Sequence, residues 1–293
     1  MTAKSNPSKT ILITGSSTGF GRGTAEILAR NGHVVFASMR DVAGRNKNHA
    51  DELRSKGLKV VELDVTNDAS VEKGVAQVLS QAQKIDVVVN NAGIASAGVS
   101  EAFTAEQVRN LFEVNVFGVQ RVLRAVLPTL RKQGDGLIVN VGSILGRVTF
   151  PFFGFYGASK FAVEALTDSY RYELSQLGVD VVLVQPSAYP TNMYESAQQP
   201  ADSERAKAYG DIGDIPGRMF ATFMDIFKGP TAPNPHDVPE AIAKLVSQPK
   251  GARPARVVVG AAYGSDVVNR QTEPVQAQVM EGLGLAHLAR IRP

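Results

Sequence analysis

Short runs of consecutive apolar residues, rich in β-branched side chains, alternate along the chain with longer stretches of helical period. That is the pattern of βα units built around a parallel sheet. The runs predict strands over residues 10–14, 33–37, 59–63, 85–89, 137–141, 180–184 and 256–259. Their apolar character is continuous rather than alternating, as in Val87-Val88-Val89 and Val181-Val182-Leu183-Val184, so helices must cover both faces of the sheet. The helical period predicts those helices over residues 21–31, 69–82, 105–132 and 157–177, joined by short connections. Seven strands fit one sheet, which makes residues 1–293 a single α/β domain. One segment breaks the rhythm: residues 192–239 read as irregular, punctuated by Pro200, Pro216, Pro230, Pro233, Pro235 and Pro239. A connection that long is either a functional lid or a poorly ordered insertion. The tail after Gly260 gives no usable pattern.

Composition narrows the chemistry. The absence of cysteine excludes disulfides, thiolate nucleophiles and Cys-ligated zinc or iron–sulfur sites. The four histidines, His33, His49, His236 and His287, are scattered without metal-ligand spacing, so no metal is expected. The net charge of +3 comes from interspersed Lys and Arg rather than a dense basic block. This argues against a nucleic-acid partner and fits a solvated surface that helps attract an anionic cofactor. Residues 1–9 are polar, and no stretch approaches the roughly 18 apolar residues of a membrane span. No membrane span and a cytoplasmic location are therefore expected.

The first strand, Ile11-Leu12-Ile13, runs directly into Thr14-Gly15-Ser16-Ser17-Thr18-Gly19-Phe20-Gly21 and then into helical period. Strand, glycine turn and helix in that order form the dinucleotide site of doubly wound, Rossmann-like sheets. Glycines let the backbone approach a pyrophosphate, and the helix N-terminus stabilises its charge. The spacing is G-x-x-x-G-x-G, not the more widespread G-x-G-x-x-G, and a glycine cluster by itself can also be a plain loop.

At this turn the sequence resembles the compact, single-domain branch of the short-chain dehydrogenase/reductase family. The resemblance continues in order through Asp64-Val65, Asn90-Asn91-Ala92-Gly93, Asn115, Ser143, Tyr156-Gly157-Ala158-Ser159-Lys160 and the run from Pro186 to Thr191, covering roughly residues 9–192. It implies that Gly15, Ser17, Thr18, Gly19, Phe20 and Gly21 bind the cofactor at the turn and that Asp64 and Val65 face its adenine. Asn91, Ala92 and Gly93 would line the cofactor cleft. Pro186 would lie at the cofactor, and Thr191 would touch the nicotinamide carboxamide. The chain departs from many relatives in carrying Ser187 where they have glycine.

Tyr156 and Lys160 lie four residues apart where a helical pattern begins, so their side chains share a face. A free tyrosine has a pKa of about 10, and bringing it near neutrality requires about 3 units, or roughly 4 kcal/mol. A lysine cation, helped by the positive charge of an oxidised nicotinamide, favours the phenolate. Tyr156 can then act as general acid in reduction and general base in oxidation. Ser143 follows the fifth strand at the C-terminal edge of the sheet, where open α/β folds bind ligands. Its hydroxyl can stabilise charge developing on a substrate oxygen. By resemblance, Lys160 also binds the nicotinamide ribose, and Asn115 holds a water in a proton relay. Each residue alone has an ordinary explanation: a solvated helix pair, a turn serine, a buried amide. Their joint order and spacing favour a catalytic set, that of an NAD(P)-dependent oxidoreductase acting on CH–OH groups.

The second strand ends in Phe36-Ala37-Ser38-Met39-Arg40-Asp41. Met39 stands where NAD-preferring relatives have an acid, and Arg40 where NADP-preferring relatives have a base, so NADP(H) is expected over NAD(H). The competing reading turns Asp41 inward to the ribose. Aromatic residues Phe150, Phe152, Phe153 and Phe155 precede Tyr156, and Phe220, Phe223, Met224 and Phe227 form a narrow helical stripe. That stripe is either core packing or a lid closing over a hydrophobic substrate. The segment around Arg40 also resembles the hydroxysteroid and retinol dehydrogenase group. A hydrophobic ketone, aldehyde or secondary alcohol is expected, with Ser187, Tyr189, Asn192 and Tyr194 as unranked polar contacts. The resemblance further implies a homodimer or homotetramer formed through the helices over 105–132 and 157–177. Competing functions are a non-catalytic NADP-binding redox sensor and a nucleotide-sugar epimerase or dehydratase. Epimerases and dehydratases usually carry a different glycine spacing and a larger C-terminal domain.

Overall fold

The computed structural model describes residues 7–292. Seven parallel strands, β1 (Thr10–Ile13), β2 (Val34–Met39), β3 (Lys59–Glu62), β4 (Val87–Asn90), β5 (Gly136–Val141), β6 (Val179–Pro186) and β7 (Arg256–Val259), form one sheet in the order β3-β2-β1-β4-β5-β6-β7. The chain starts at β1, works outward to β3, returns to β4 on the other side of β1 and works outward again to β7. The winding therefore reverses between β1 and β4, and the strand ends there part to leave a crevice.

Successive residues of each strand feed opposite cores, as the pleat requires. Ile11, Ile13, Val87 and Val89 pack beneath α1 (Gly19–Arg30), α2 (Lys47–Ser55) and α10 (Asp237–Ser247), against Leu28, Leu53, Ile242 and Val246. Leu12, Phe36 and Val88 face α3 (Asp68–Ala82), α5 (Gly118–Gln133) and α6 (Gly154–Ser175), against Val75, Val122, Leu123 and Leu174. The result is a Rossmann-like, doubly wound single domain, as the hydrophobic pattern predicts.

The helices depart from the sequence reading in four places, the first being α2, which was not predicted. The predicted helix over 105–132 is α4 (Ala105–Phe112) and α5, joined without a break by a π turn at Glu113–Phe117. The segment over 192–239 is not irregular. It folds into α7 (Asn192–Glu195), α8 (Ser203–Lys207), α9 (Ile215–Lys228) and the first turn of α10. The unread tail forms α11 (Ser265–Gly282), which buries only Ser265 and Met280. Among the described residues, no helix is long and apolar enough to cross a membrane.

Candidate active site

β1 delivers the chain into the glycine turn at the crevice. Gly15 and Gly19 adopt left-handed backbone, with φ of +67° and +57°, which side chains rarely permit. At Gly21 the constraint is space: a Cβ there would sit 2.3 Å from the Gly15 carbonyl oxygen and 2.4 Å from Asn91 Nδ2. The turn is tied to the end of β4. Thr14 Oγ1 accepts from the N–H groups of Asn91 (3.0 Å) and Ala92 (3.1 Å), and Asn91 Nδ2 donates to the carbonyls of Thr14 and Gly15 (3.0 Å each). Thr18 starts α1 without a side-chain cap, so the first N–H groups of that helix are free to bind an anion.

A cleft of about 400 Å³ opens here, lined by Gly15, Ser17, Thr18, Gly19, Phe20, Arg40, Asp64, Val65, Asn91, Ala92, Gly93 and Thr191. Every one of these was expected at the cofactor. Gly21 lies beneath the turn instead of lining the cleft, and Pro186 lines the neighbouring pocket. Asp64 Oδ1 accepts from the Thr66 N–H (3.0 Å) and hydroxyl (2.8 Å). Burial works against its charge, but those bonds, aided by the Arg40 and Arg45 guanidiniums, hold the carboxyl below the usual carboxylate range.

Arg45 is a cleft residue that the sequence reading missed. The loop that presents it turns at Asp41, whose φ is +52°. The Asp41 carboxylate accepts from the Arg45 N–H (3.0 Å), and Asn46 Nδ2 donates to the Arg40 carbonyl (2.6 Å). Asp41 is thus folded back into its own loop, while both arginines line the cleft without an ion pair among the described residues, Asp64 acting on them only at longer range. The Asp41-x-x-Gly44-Arg45 spacing was the available signal: a tight turn would return the second base to the first. The uncapped helix end, the glycine cradle and this basic rim fit a nicotinamide dinucleotide.

At the opposite end of the cleft, α6 begins at Gly154, so Tyr156 and Lys160 occupy its first two turns. Both are buried, as is Glu164 one turn further along. Burial pushes the Tyr156 hydroxyl up to about 12, while the Ser143 hydroxyl beside it pulls the other way. Burial also brings Lys160 down to about 8. The expected lowering of Tyr156 by Lys160 is therefore not found among the chain's own groups. The Lys160 ammonium donates to the Val141 carbonyl (3.0 Å) and stands 5.7 Å from the Tyr156 ring centre, so desolvation prevails.

Ser143 starts the turn Ile144–Gly146 just beyond β5, and its Oγ accepts from the Leu145 N–H (3.1 Å). Its hydroxyl proton is directed to the Tyr156 oxygen, so the two hydroxyls stand within one hydrogen bond of each other. Arg147, which ends that turn, pairs with Glu164 on α6 (3.1 Å), tying the serine turn to the tyrosine helix. Asn115, in the π turn, donates through Nδ2 to the Ile94 carbonyl (2.9 Å) and Ser159 Oγ (3.1 Å), and its Oδ1 accepts from the Ile94 N–H (2.9 Å). Ser159 in turn donates to the Tyr156 carbonyl (2.7 Å). Both amide hydrogens of Asn115 are thus occupied in latching the loop after β4 to α6.

A second pocket, of about 290 Å³, adjoins the cleft at Phe20, Asn91, Thr191 and Met193. Its walls include Ile144, Leu145, Phe150, Phe153 and, from α9, Pro216, Phe220 and Phe223; Ser143, Tyr156 and Lys160 stand at its polar end. Lys160 is the one charged residue of the lining among the described residues. No residue of α9 is fully buried, so its aromatic stripe roofs this pocket and is not core. The four unranked polar residues separate here. Ser187, Tyr189 and Tyr194 line the apolar pocket, though the Tyr189 hydroxyl is donated to Asp237 (3.2 Å), whereas Asn192 faces the cofactor cleft.

A parallel sheet with its glycine turn at the switch point, and a serine, a tyrosine and a lysine gathered between a dinucleotide cleft and an apolar pocket, define a nicotinamide-type oxidoreductase scaffold. The family model described as short chain dehydrogenase matches residues 9–202, and the chain belongs to that family, whose members act on CH–OH or keto groups. Among curated relatives, 3-ketodihydrosphingosine reductase of Bacteroides thetaiotaomicron is 39% identical over 64% of this chain and 66% of its own length. Retinol dehydrogenase 8 of Bos taurus is 37% identical over 62% of this chain and 60% of its own. The chain thus spans less than two thirds of the length of these relatives. Among solved structures, a short-chain dehydrogenase from Streptomyces avermitilis superposes with a TM-score of 0.76 at 27% identity, covering 95% of this chain and 98% of that one. A single-substitution variant of actinorhodin polyketide ketoreductase, with NADPH, gives 0.72 at 28% identity over 88% and 97%.

Proposed function

We propose that the protein is an NADP(H)-dependent oxidoreductase that interconverts a hydrophobic ketone or aldehyde with its alcohol, with Tyr156 as general acid and base. The observation that carries the reading is the placement of Ser143 and Tyr156 at the polar end of an otherwise apolar pocket, directly beside a cleft built for a dinucleotide. The cofactor, when bound, supplies the hydride to the carbonyl carbon or accepts it from the alcohol. Ser143 turns its proton from the Tyr156 oxygen to the substrate oxygen and stabilises charge forming there. Tyr156, protonated at neutral pH, gives its proton to that oxygen in reduction and recovers it in oxidation. Lys160, with a pKa of about 8, is largely charged at neutral pH and holds its ammonium against the Val141 carbonyl at the cofactor side of Tyr156. Asn115 acts by holding the loop after β4; its amide hydrogens are used, so a relay water would be held by one of its carbonyl oxygens.

Support for NADP(H) comes from Arg40 and Arg45 on the rim, neither in an ion pair among the described residues, and from the Asp41 carboxylate being engaged by the Arg45 N–H. The α9 roof is the proposed lid. Phe117 on the π turn and Phe161 on α6 are exposed, which supports a homodimer or homotetramer through these helices. A cytoplasmic location belongs to the same proposal. The test is to titrate the protein with NADPH and NADH, then follow reduced-nicotinamide absorbance over a panel of hydrophobic ketones and aldehydes, with Tyr156→Phe as control. NADPH-preferring turnover that disappears in the variant is the expected result. Failure to bind either cofactor would sink the reading.

A further inference from the structure

The apolar pocket contains a hydroxyl that no protein group uses. Tyr194, on α7, has its ring held from outside by the α9 roof: edge-on to Phe227 at 5.0 Å and tilted against Phe223 at 5.9 Å. The same residue lines the pocket, together with Ser143 and Tyr156. Burial first, and then the neighbouring Tyr156 and Tyr263 hydroxyls, push its pKa upward, and both of those tyrosines line the pocket. Unlike Tyr189, whose hydroxyl is taken by Asp237, Tyr194 has no hydrogen-bond partner among the described residues. A half-buried phenol without a protein partner is available to a polar group of whatever occupies the pocket. Ser143 and Tyr156 already serve the reacting oxygen, so Tyr194 offers a further donor and acceptor close by. The partner it can satisfy is uncharged. A carboxylate would need a cation, and Lys160, the one cation of the lining, is buried against the Val141 carbonyl.

We infer that Tyr194 is a specificity-determining residue that hydrogen-bonds a second, neutral oxygen near the reacting carbon. The substrate class is an uncharged hydroxy ketone, or the corresponding diol, with an apolar tail beneath α9. This rests on the oxidoreductase reading above and narrows it. The test compares kcat/KM with NADPH for methyl octyl ketone, its counterparts hydroxylated near the carbonyl, and an oxo-carboxylate of the same length, in the native protein and in Tyr194→Phe. The native protein is expected to favour a hydroxy ketone over the plain ketone by about tenfold, the worth of one hydrogen bond to a positioned donor. In Tyr194→Phe that ratio should fall to near unity, because the ring packing against Phe223 and Phe227 remains and only the hydroxyl is lost. NADPH titration of the variant reports whether the cofactor cleft is intact. An unchanged ratio, or a native protein that prefers the oxo-carboxylate, overturns the role of Tyr194 and leaves the oxidoreductase reading standing. NADPH binding without turnover of any of these carbonyls overturns both together.

Discussion

Replacing Arg40 and Arg45 by alanine, singly and together, tests the origin of cofactor choice. Neither guanidinium is in an ion pair among the described residues, Asp64 acting on both only at longer range, and both are exposed, so the relevant medium is close to water. In water, unit charges about 4 Å apart interact by about 1 kcal/mol. A ribose phosphate with a charge of about −2 would then gain about 2 kcal/mol from each arginine at low salt. Screening over a Debye length of about 8 Å at physiological ionic strength reduces this to about 1 kcal/mol. Each substitution should therefore weaken NADPH binding by about fivefold to thirtyfold depending on salt, and the double variant by about the product, since each arginine contacts the phosphate independently. Affinity for NADH, which lacks that phosphate, should change little. The assay is fluorescence titration of both cofactors at two salt concentrations. Equal weakening of NADH and NADPH, or a loss that does not shrink with salt, would refute the reasoning; loss in Arg40→Ala alone would remove Arg45 from the site.

Three other substitutions probe the site. Tyr156→Phe should lower kcat by about 10²- to 10⁴-fold with NADPH still bound, as measured by single-turnover absorbance and titration. Lys160→Met should abolish turnover yet raise stability near pH 7 by up to about 3 kcal/mol, the worth of a pKa brought from 10.5 down to about 8, less the lost bond to Val141. Below about pH 8 that lysine is charged in folded and unfolded chains alike and its burial cost is fully present. As pH rises from about 8 towards 10 the folded form alone becomes neutral, and the advantage of the variant in urea unfolding should fade. Tyr156 acts oppositely at higher pH: raised to about 12, it keeps its proton in the folded chain while the unfolded chain ionises above about 10, so stability falls there. Gly21→Ala should destabilise by about 1–3 kcal/mol and remove cofactor binding, because its Cβ would lie 2.3 Å from the Gly15 carbonyl. A stable variant that still binds NADPH would contradict that geometry.

What the sequence made legible follows from which faces are apolar. The seven strands stand within two residues of their predicted places, because strands buried on both sides leave continuous apolar runs. α2 escaped notice because Lys47–Ser55 is polar on nearly every side and buries only Ala50 and Leu53. α11 did so for the same reason, and it also contains Pro274. The prolines before α10 disguised a helix whose first turn carries Asp237, Pro239 and Glu240, residues that suit a helix start. In the site, Tyr156, Lys160, Ser143 and the glycine turn were readable from order and spacing. Arg45 was not, because its place depends on the left-handed turn at Asp41. Nor was the upward shift of Tyr156, because spacing shows which charges are near but not how much water burial removes.

The π turn between α4 and α5 makes the length of this stretch count as much as its composition. Each residue of a helix turns the next by about 100°. The extra residue in Glu113–Phe117 allows α4 to bury Leu111, Asn115 to turn inward, and α5 still to aim Val119, Val122, Leu123, Val126 and Leu130 at the sheet. Deleting one residue here would leave a more regular helix and a worse protein: either the apolar stripe of α5 swings towards solvent or the Asn115 latch leaves Ile94. Substitutions in the turn should therefore be tolerated far better than single-residue deletions or insertions.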